Sequence, residues 1–457
     1  MELPRLAGLD HQPDLGAQPA ADQMMMHRRH GEKRRHRDVI GIDAAVGQHD
    51  DVVPGAHRRL GAAADALDRG RHAGGAGGGV IADRQRIGAE GAVRAVLDAA
   101  DAPLTPLVLW TDTRAEAAPA EYEAFSQTPA FAQTVGFKGM AVDSAVVKWN
   151  WSQRHEPGRW SRMRRHLTVS DYLTFALTGE PVGDASTAAL LGLYHLHERG
   201  WWREALQAFA VDPARLATPL RPGTPCGRTT DAAMGLLGIP SGIPFAVGAL
   251  DHHAAALGAG LETFADASIS TGTVLAALCV VDAVEPMPRC YHGPHTDGAR
   301  YYRLAYNPAG TGRLDRLHRE SAPDRTIEDL VAEAGRLAPG CRRAVSPWSR
   351  ASDSSDVPRA ARLLMDEMAH AHRILLDTVL GGRRLSRISA TGGGARSAGW
   401  LALTADVLGV PIVTSSCPER ACLGAAAFAA VAAGIYQSIG QATAAMVRPG
   451  REFAPGK

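Results

Sequence analysis

One run of residues restricts the fold more than any other. Leu385 to Ala390 reads as a strand, Thr391-Gly392-Gly393-Gly394-Ala395-Arg396-Ser397 as a turn, and Ser397 to Leu408 as a helix. A strand that passes through glycines directly into a helix marks an α/β protein, whose ligands gather at the carboxyl ends of its strands. Glycines let backbone approach a ligand closely, and the helix that follows points its positive end at the turn. No Lys-Ser/Thr pair follows at P-loop spacing, and the fit to a dinucleotide fingerprint is poor. A plain strand-to-helix turn stays open as the alternative.

The same alternation extends across most of the chain from Val93. Leu107-Val108-Leu109-Trp110 is expected to be a strand running into Thr111-Asp112-Thr113-Arg114. Ser170 to Thr178 is expected to be a helix stopped by Gly179, and Phe245 to Gly248 a buried strand after Pro244. Ala267 to Val281 holds two strands around Thr271-Gly272-Thr273, a hairpin-like turn. Leu363 to Leu380 is amphipathic, with Leu364, Met368, Ala371, Leu375 and Val379 on one face and Asp366, Glu367, His370 and Arg373 elsewhere. The Ser-, Pro- and Asp-rich stretch from Arg342 to Arg359 reads as a loop.

Three turns could carry chemistry. Ser270-Thr271-Gly272-Thr273 offers backbone N–H groups and hydroxyls, enough to cradle a phosphate without a cation, although most such turns are plain hairpins. Gly392, Gly393, Gly394 and Ser397 form the second. The third is Gly248-Ala249-Leu250-Asp251, where an acidic residue at a strand end precedes the small-residue helix Ala254 to Gly260. A carboxylate there suits a general base, while an N-cap is the plainer alternative. His252-His253 and His370/His372 lack a partner set for a metal and read as surface or cap residues. Cys417 and Cys422 have no zinc or redox spacing and read as inert. Tryptophans 149, 151, 160, 201 and 202 read as packing residues.

At 457 residues the chain exceeds what one core organises, so two or three domains are expected. A formal charge of +1 gives no electrostatic case for nucleic acid or an anionic membrane. The longest apolar run, Cys422 to Tyr436, is too short to span a bilayer. Six scattered cysteines and a start without an apolar leader point to a reducing cytoplasm. Residues 1–92 are anomalous. All 25 aromatic residues lie at or after Trp110, and basic runs such as Arg34-Arg35-His36-Arg37 replace any sustained period. Out-of-frame translation of GC-rich DNA accounts for that composition. A disordered or nucleic-acid-binding arm is the alternative, though Asp38, Asp43, Asp50 and Asp51 cancel much of its charge.

Trp110-x-Asp112-x-Arg114, Asp171-Tyr172-Leu173 with Leu177-Thr178-Gly179, the Asp251 segment, Ser270 to Thr273, Thr391 to Trp400 with Ala405-Asp406, and Leu423-Gly424-Ala425-Ala426 occur in this order. Together they resemble the successive signatures of FGGY carbohydrate kinases over most of Val93 to Gly434. The resemblance implies two actin/RNase H-like domains closing an interdomain cleft over ATP, Mg²⁺ and a sugar, ketose or polyol. It implies residues 93–246 as the remainder of the first domain and 247–457 as the second. It further implies Asp251 as the base, Ser270 to Thr273 as the second phosphate loop, Gly393-Gly394 against adenosine, and Trp110, Asp112 and Arg114 beside the sugar. A homodimer is implied too. The sequence departs from the family at its start: the Asp-x-Gly-Thr loop is missing, and Asp43 in Gly41-Ile42-Asp43-Ala44-Ala45 is the nearest imitation. That gap keeps a second reading open, a catalytically inactive sugar- or nucleotide-binding member of the same fold. The metal ligands and the identity of the sugar stay unassigned.

Overall fold

Ala267–Thr271 (β4) and Leu275–Val281 (β5) alternate so that one set of side chains faces each side of a sheet, and the two pair antiparallel with Thr271 opposite Leu275. They lie at the centre of a computed structural model that describes residues 94–457, except 106, 110, 111, 113, 116, 338–355 and 457. Around them the sheet adds Tyr291–Pro294 (β6), Tyr301–Asn307 (β7), Ile388–Thr391 (β8), Ile412–Ser415 (β9) and Pro449–Phe453 (β10). The spatial order is β6-β7-β5-β4-β8-β9-β10. β4, β5 and β7 form an antiparallel meander, whereas β8 runs parallel to β4 and β9 parallel to β8. A meander of three strands extended by two parallel ones is the RNase H-like arrangement.

Each face of this sheet has its own cover. Ala267, Ile269, Leu275, Ala277, Ile388 and Ala390 join a core with Leu364, Met365, Met368, Leu376 and Val379 of Asp356–Leu380 (α4) and Trp400, Leu401 and Leu408 of Ala398–Leu408 (α5). The opposite side chains, Ala276, Leu278 and Val280, pack with Ala256 of Asp251–Ala259 (α2). The expected apolar face of α4 is buried, while Glu367, His370 and Arg373 are exposed. The helix nonetheless starts at Asp356, earlier than Leu363, which corrects the end of the expected loop. Pro358 is tolerated in a first turn, and Val357, Ala360 and Ala361 extend the buried face. Residues 342–355 of that loop lie outside the described residues, as do residues 1–92 with Asp43.

Two further boundaries differ from the sequence reading. β8 starts at Ile388 and not Leu385, because Asp266 Oδ2 accepts the Ser386 and Arg387 N–H groups at 2.7 and 3.2 Å. Pro244–Ala246 does not join the large sheet. It pairs with Pro225–Arg228 in a two-stranded ribbon, with Pro244 exposed, as suits a residue that cannot donate to a ladder. Of Leu107–Leu109 only Val108 makes a single bridge and no strand extends from it, while the Leu109 carbonyl accepts from Lys148 Nζ at 2.9 Å.

In the N-terminal half, Arg94–Asp98 (β1) pairs antiparallel with Met163–Thr168 (β2), which leads into Val169–Thr178 (α1). A capping box starts α1: Thr168 Oγ1 accepts the Asp171 N–H and Asp171 accepts the Thr168 N–H. Left-handed Gly179 ends it, as the sequence indicates. Asp171 lies so close to Gly183 that a β-carbon there would sit 1.7 Å from Oδ1. Burial raises the Asp171 carboxyl to about 7. Beyond Val182–Asp184 (β3), an aromatic core of Tyr122, Phe125, Phe131 and Phe209 packs edge to face, with the five tryptophans in or against it.

α2 packs across Arg420–Ala432 (α6) at two glycines. A β-carbon on Gly258 would lie 1.9 Å from the Arg420 carbonyl oxygen, and one on Gly424 would lie 2.0 Å from that of Ala254. Neither backbone can retreat without moving a helix. Gly424→Ala should therefore destabilise the fold by roughly 3 kcal/mol, read as a lower urea midpoint. An unchanged midpoint would show that the crossing is looser than this geometry.

Candidate functional site

Parallel pairing of β4 and β8 sets Thr391 beside Ser270, so both strands release their glycine turns at the same sheet edge. The turns then touch. A β-carbon on Gly392, whose φ is +82°, would lie 2.5 Å from the Thr271 carbonyl oxygen, and one on Gly394 would lie 2.5 Å from Thr271 Cγ2. Only glycine permits that contact. A third segment braces the pair. Gly310 donates to the Thr273 carbonyl at 3.1 Å and Thr311 to that of Gly272 at 2.9 Å, just before the helix Gly312–Ser321 (α3). A β-carbon on Gly310 would sit 2.3 Å from the Gly272 oxygen. The sequence reading missed Gly310 and Thr311; their one signal is a Pro- and Gly-rich link between a strand and a helix.

The hydroxyls of the turn are not equivalent. Thr271 Oγ1 lies 3.0 Å from His372 Nε2, and both residues are buried in the core between β4 and α4. Thr271 therefore offers a ligand only its backbone, while Ser270 is half-buried and Thr273 exposed. Ser397 caps α5 by accepting the Trp400 N–H at 3.3 Å. Its hydroxyl proton is left to donate. Gly392 and Gly393 are exposed, and Gly394 is buried under Thr271.

Asp251 is the first residue of α2 and is exposed; Leu250 occupies the cap position. Among the described residues, Oδ1 accepts only the neighbouring His252 N–H, at 2.7 Å. The N-cap alternative is thus not what the structure contains. The turn is held from the other half of the molecule: Leu250 N–H donates to Ser186 Oγ at 2.8 Å, and Ser186 Oγ donates to buried Asp184. Tyr302 Oη donates to the Ser186 carbonyl at 2.7 Å. Burial, with the Asp184 and Asp251 charges behind it, raises the Tyr302 phenol far above its ordinary range. A narrow crevice joins His252 and Ala256 of α2 to Ser268, Ser270 and Thr391. The α2 start and both strand ends therefore line one space.

Asp112 and Arg114 form a bidentate pair, Nε to Oδ1 at 2.9 Å and Nη2 to Oδ2 at 2.8 Å. Burial alone would raise Asp112, but the Arg114 bonds outweigh it and hold the carboxyl below its usual value. Arg114 also walls a small cleft with Lys148, Trp149 and Trp160. Trp110 lies outside the described residues. The histidine expectation needs correction in part. His370 is exposed, but His253 and His372 are fully buried, because each finds a polar partner inside the core. Among the described residues, no three His, Cys, Asp or Glu side chains gather to hold a metal.

A family model described as the FGGY family of carbohydrate kinases, N-terminal domain, matches residues 86–258, and its C-terminal counterpart matches residues 331–433. This chain belongs to the FGGY family of carbohydrate kinases. As a member of that family it is an ATP-dependent sugar kinase, a phosphotransferase acting on an alcohol group. A xylulose kinase of Streptomyces coelicolor is 28% identical over 362 residues, covering 73% of this chain and 71% of that protein. A xylulose kinase of Lactococcus lactis is 24% identical over 384 residues, covering 77% and 74%. In fold, the chain resembles the ligand-bound xylulose kinase of Lactobacillus acidophilus with a TM-score of 0.67 at 21% identity, covering 80% of this chain and 78% of that one. No described helix is long and apolar enough to cross a membrane.

Buried histidines make the stability of the fold depend on pH. Burial lowers His372 to about 4; burial, aided by the Arg303 charge, lowers His292 to about 4 against the opposing Gly136 carbonyl bond. Between their ordinary value near 6.5 and about 4, the unfolded chain binds protons that the folded chain refuses. Their contribution is whole above that window and is lost as pH falls through it, at roughly 3 kcal/mol per histidine. Asp171 acts oppositely, favouring the folded state at low pH, but one carboxyl does not offset two histidines. Urea midpoints should fall from pH 6.5 towards 4.5. Midpoints that stay level or rise on acidification would contradict these buried neutral rings.

Proposed function

We propose that Asp251 is the general base of this sugar kinase. In this reading Ser270, Thr271, Gly272 and Thr273 face the phosphates of ATP, and Gly392, Gly393, Gly394 and Ser397 face its adenosine. What carries the reading is the pairing of Ser270 with Thr391, which sets both glycine turns on one edge, beside a crevice shared with the residue next to Asp251. Asp251 is exposed and accepts one local hydrogen bond, so its second oxygen is open to a substrate hydroxyl. Phosphoryl transfer asks little more of a protein than this: a carboxylate for the hydroxyl proton and donors aimed at the phosphates.

The steps follow from those positions. Asp251 takes the proton as the sugar oxygen bonds to the γ-phosphorus, and the bond from that phosphorus to the β-phosphate oxygen breaks to release ADP. Backbone N–H groups of the 271–273 turn and the exposed Thr273 hydroxyl receive charge developing on the phosphoryl oxygens. Mg²⁺ would be held mainly by the phosphate oxygens and water, since it favours oxygen ligands and keeps several waters, and it would neutralise charge on the phosphates. Asp112 and Arg114, with Trp110, face the sugar. The bidentate pair presents fixed polar groups to hydroxyls. The relatives named xylulose kinase make a five-carbon ketose the first acceptor to assay.

The same reading sets the domain boundary between residues 246 and 247, where the Pro244–Ala246 strand ends ahead of α2. It also takes the enzyme to be a cytoplasmic homodimer. The five described cysteines are all free, which supports a reducing compartment. Asp251→Asn should cut sugar-dependent ADP release about a thousandfold and change ATP affinity less than about threefold. Turnover that survives the substitution would remove Asp251 from the reaction.

A further inference from the structure

His253 is the third residue of α2, and its ring is fully buried. Nε2 lies 3.0 Å from His295 Nδ1, and His295 Nε2 lies 2.8 Å from Glu262 Oε2. Arg300 grips the Glu262 carboxylate with both terminal nitrogens, and its Nε lies 2.6 Å from Asp297 Oδ2. A chain of hydrogen bonds thus runs from an exposed ion pair to the first turn of the helix that carries Asp251.

Partner chemistry assigns the protons. A carboxylate only accepts, so His295 Nε2 carries hydrogen towards Glu262. In the neutral ring His295 Nδ1 is then an acceptor, and His253 Nε2 donates to it. His253 Nδ1 is left as a bare lone pair, buried and without a hydrogen-bond partner among the described residues. The backbone supports a purpose for Glu262. It adopts φ +60°, a conformation that favours glycine, yet the position holds a side chain able to reach His295. Asp251 is not fixed by its own side chain, which bonds only within its turn. Its placement depends on what holds that turn: Ser186 at Leu250, and His253.

We infer that Glu262, His295 and His253 form a buried relay that fixes the first turn of α2 and thereby positions Asp251. This rests on Asp251 being the base. His253 is a positioning residue here and touches no reacting atom. The groups around His253 are His295, Asp297 and Arg300 from the β6–β7 link, Tyr302 from β7 with its ring 5.0 Å away, Glu262 beyond α2, and Asp251 in the same turn.

Glu262→Gly is the deciding variant, since it removes the carboxylate and relieves the backbone at once. In the ¹⁵N-histidine-labelled full chain, His253 and His295 should both show the Nε2–H form at neutral pH, and the variant should average between tautomers. The variant should keep its urea midpoint and ATP KM within about twofold, yet lose about tenfold in kcat. His253→Phe should lower kcat similarly, and the double variant should be no slower than the slower single one. Nδ1–H on His253 in the parent chain, or tautomers unaltered in Glu262→Gly, would overturn the relay. Lost tautomers with unchanged kcat would overturn its positioning role. If the parent phosphorylates no sugar, the kinase reading fails, and the tautomer arm still decides the relay.

Discussion

Thr271 presses its carbonyl against the backbone of Gly392, and the candidate site depends on that contact. It forms because β4 and β8 run parallel in register, so that their turns emerge at one height on one edge. Side chains at positions 392 and 394 would push the two turns apart. His372 secures the arrangement from below by taking the Thr271 hydroxyl into the core. In the proposed reading a nucleotide would meet backbone from two strands at once, which is how an anion can be held without a lysine loop.

A second close approach sets where the carboxylate stands. α2 crosses α6 at Gly258 and Gly424 with backbone on backbone, and Ser186 ties the residue before Asp251 to Asp184. The helix bearing Asp251 is thereby fixed to both halves of the molecule. Its acidic group need not be buried to be well placed. An exposed carboxylate on a rigid turn combines access to a sugar with a defined position, as proton abstraction requires.

Much of this was legible in the residues, for identifiable reasons. Two strand-like runs around Thr271-Gly272-Thr273 specified the hairpin, and the apolar stripe of α4 specified its buried face. The glycines announced turns. Position in the sequence could not say that Thr271 Oγ1 faces the core, or that Gly310 would brace the turn from a distant segment, since both follow from tertiary pairing. Of the family signatures, Asp171 caps a helix and Gly424 lets two helices touch, so part of the recognisable pattern records packing and not chemistry. His253 misled for the same reason: a lone imidazole looks like a surface group until its partner, 42 positions away, is placed beside it.

Hydrogen exchange measured with and without a non-hydrolysable ATP analogue tests the central claim most directly. If the two glycine turns are one nucleotide site, the amides of Gly272, Thr273, Gly393 and Gly394 should slow together, by about tenfold or more at saturation. Protection confined to other segments, with both turns exchanging as before, would contradict it.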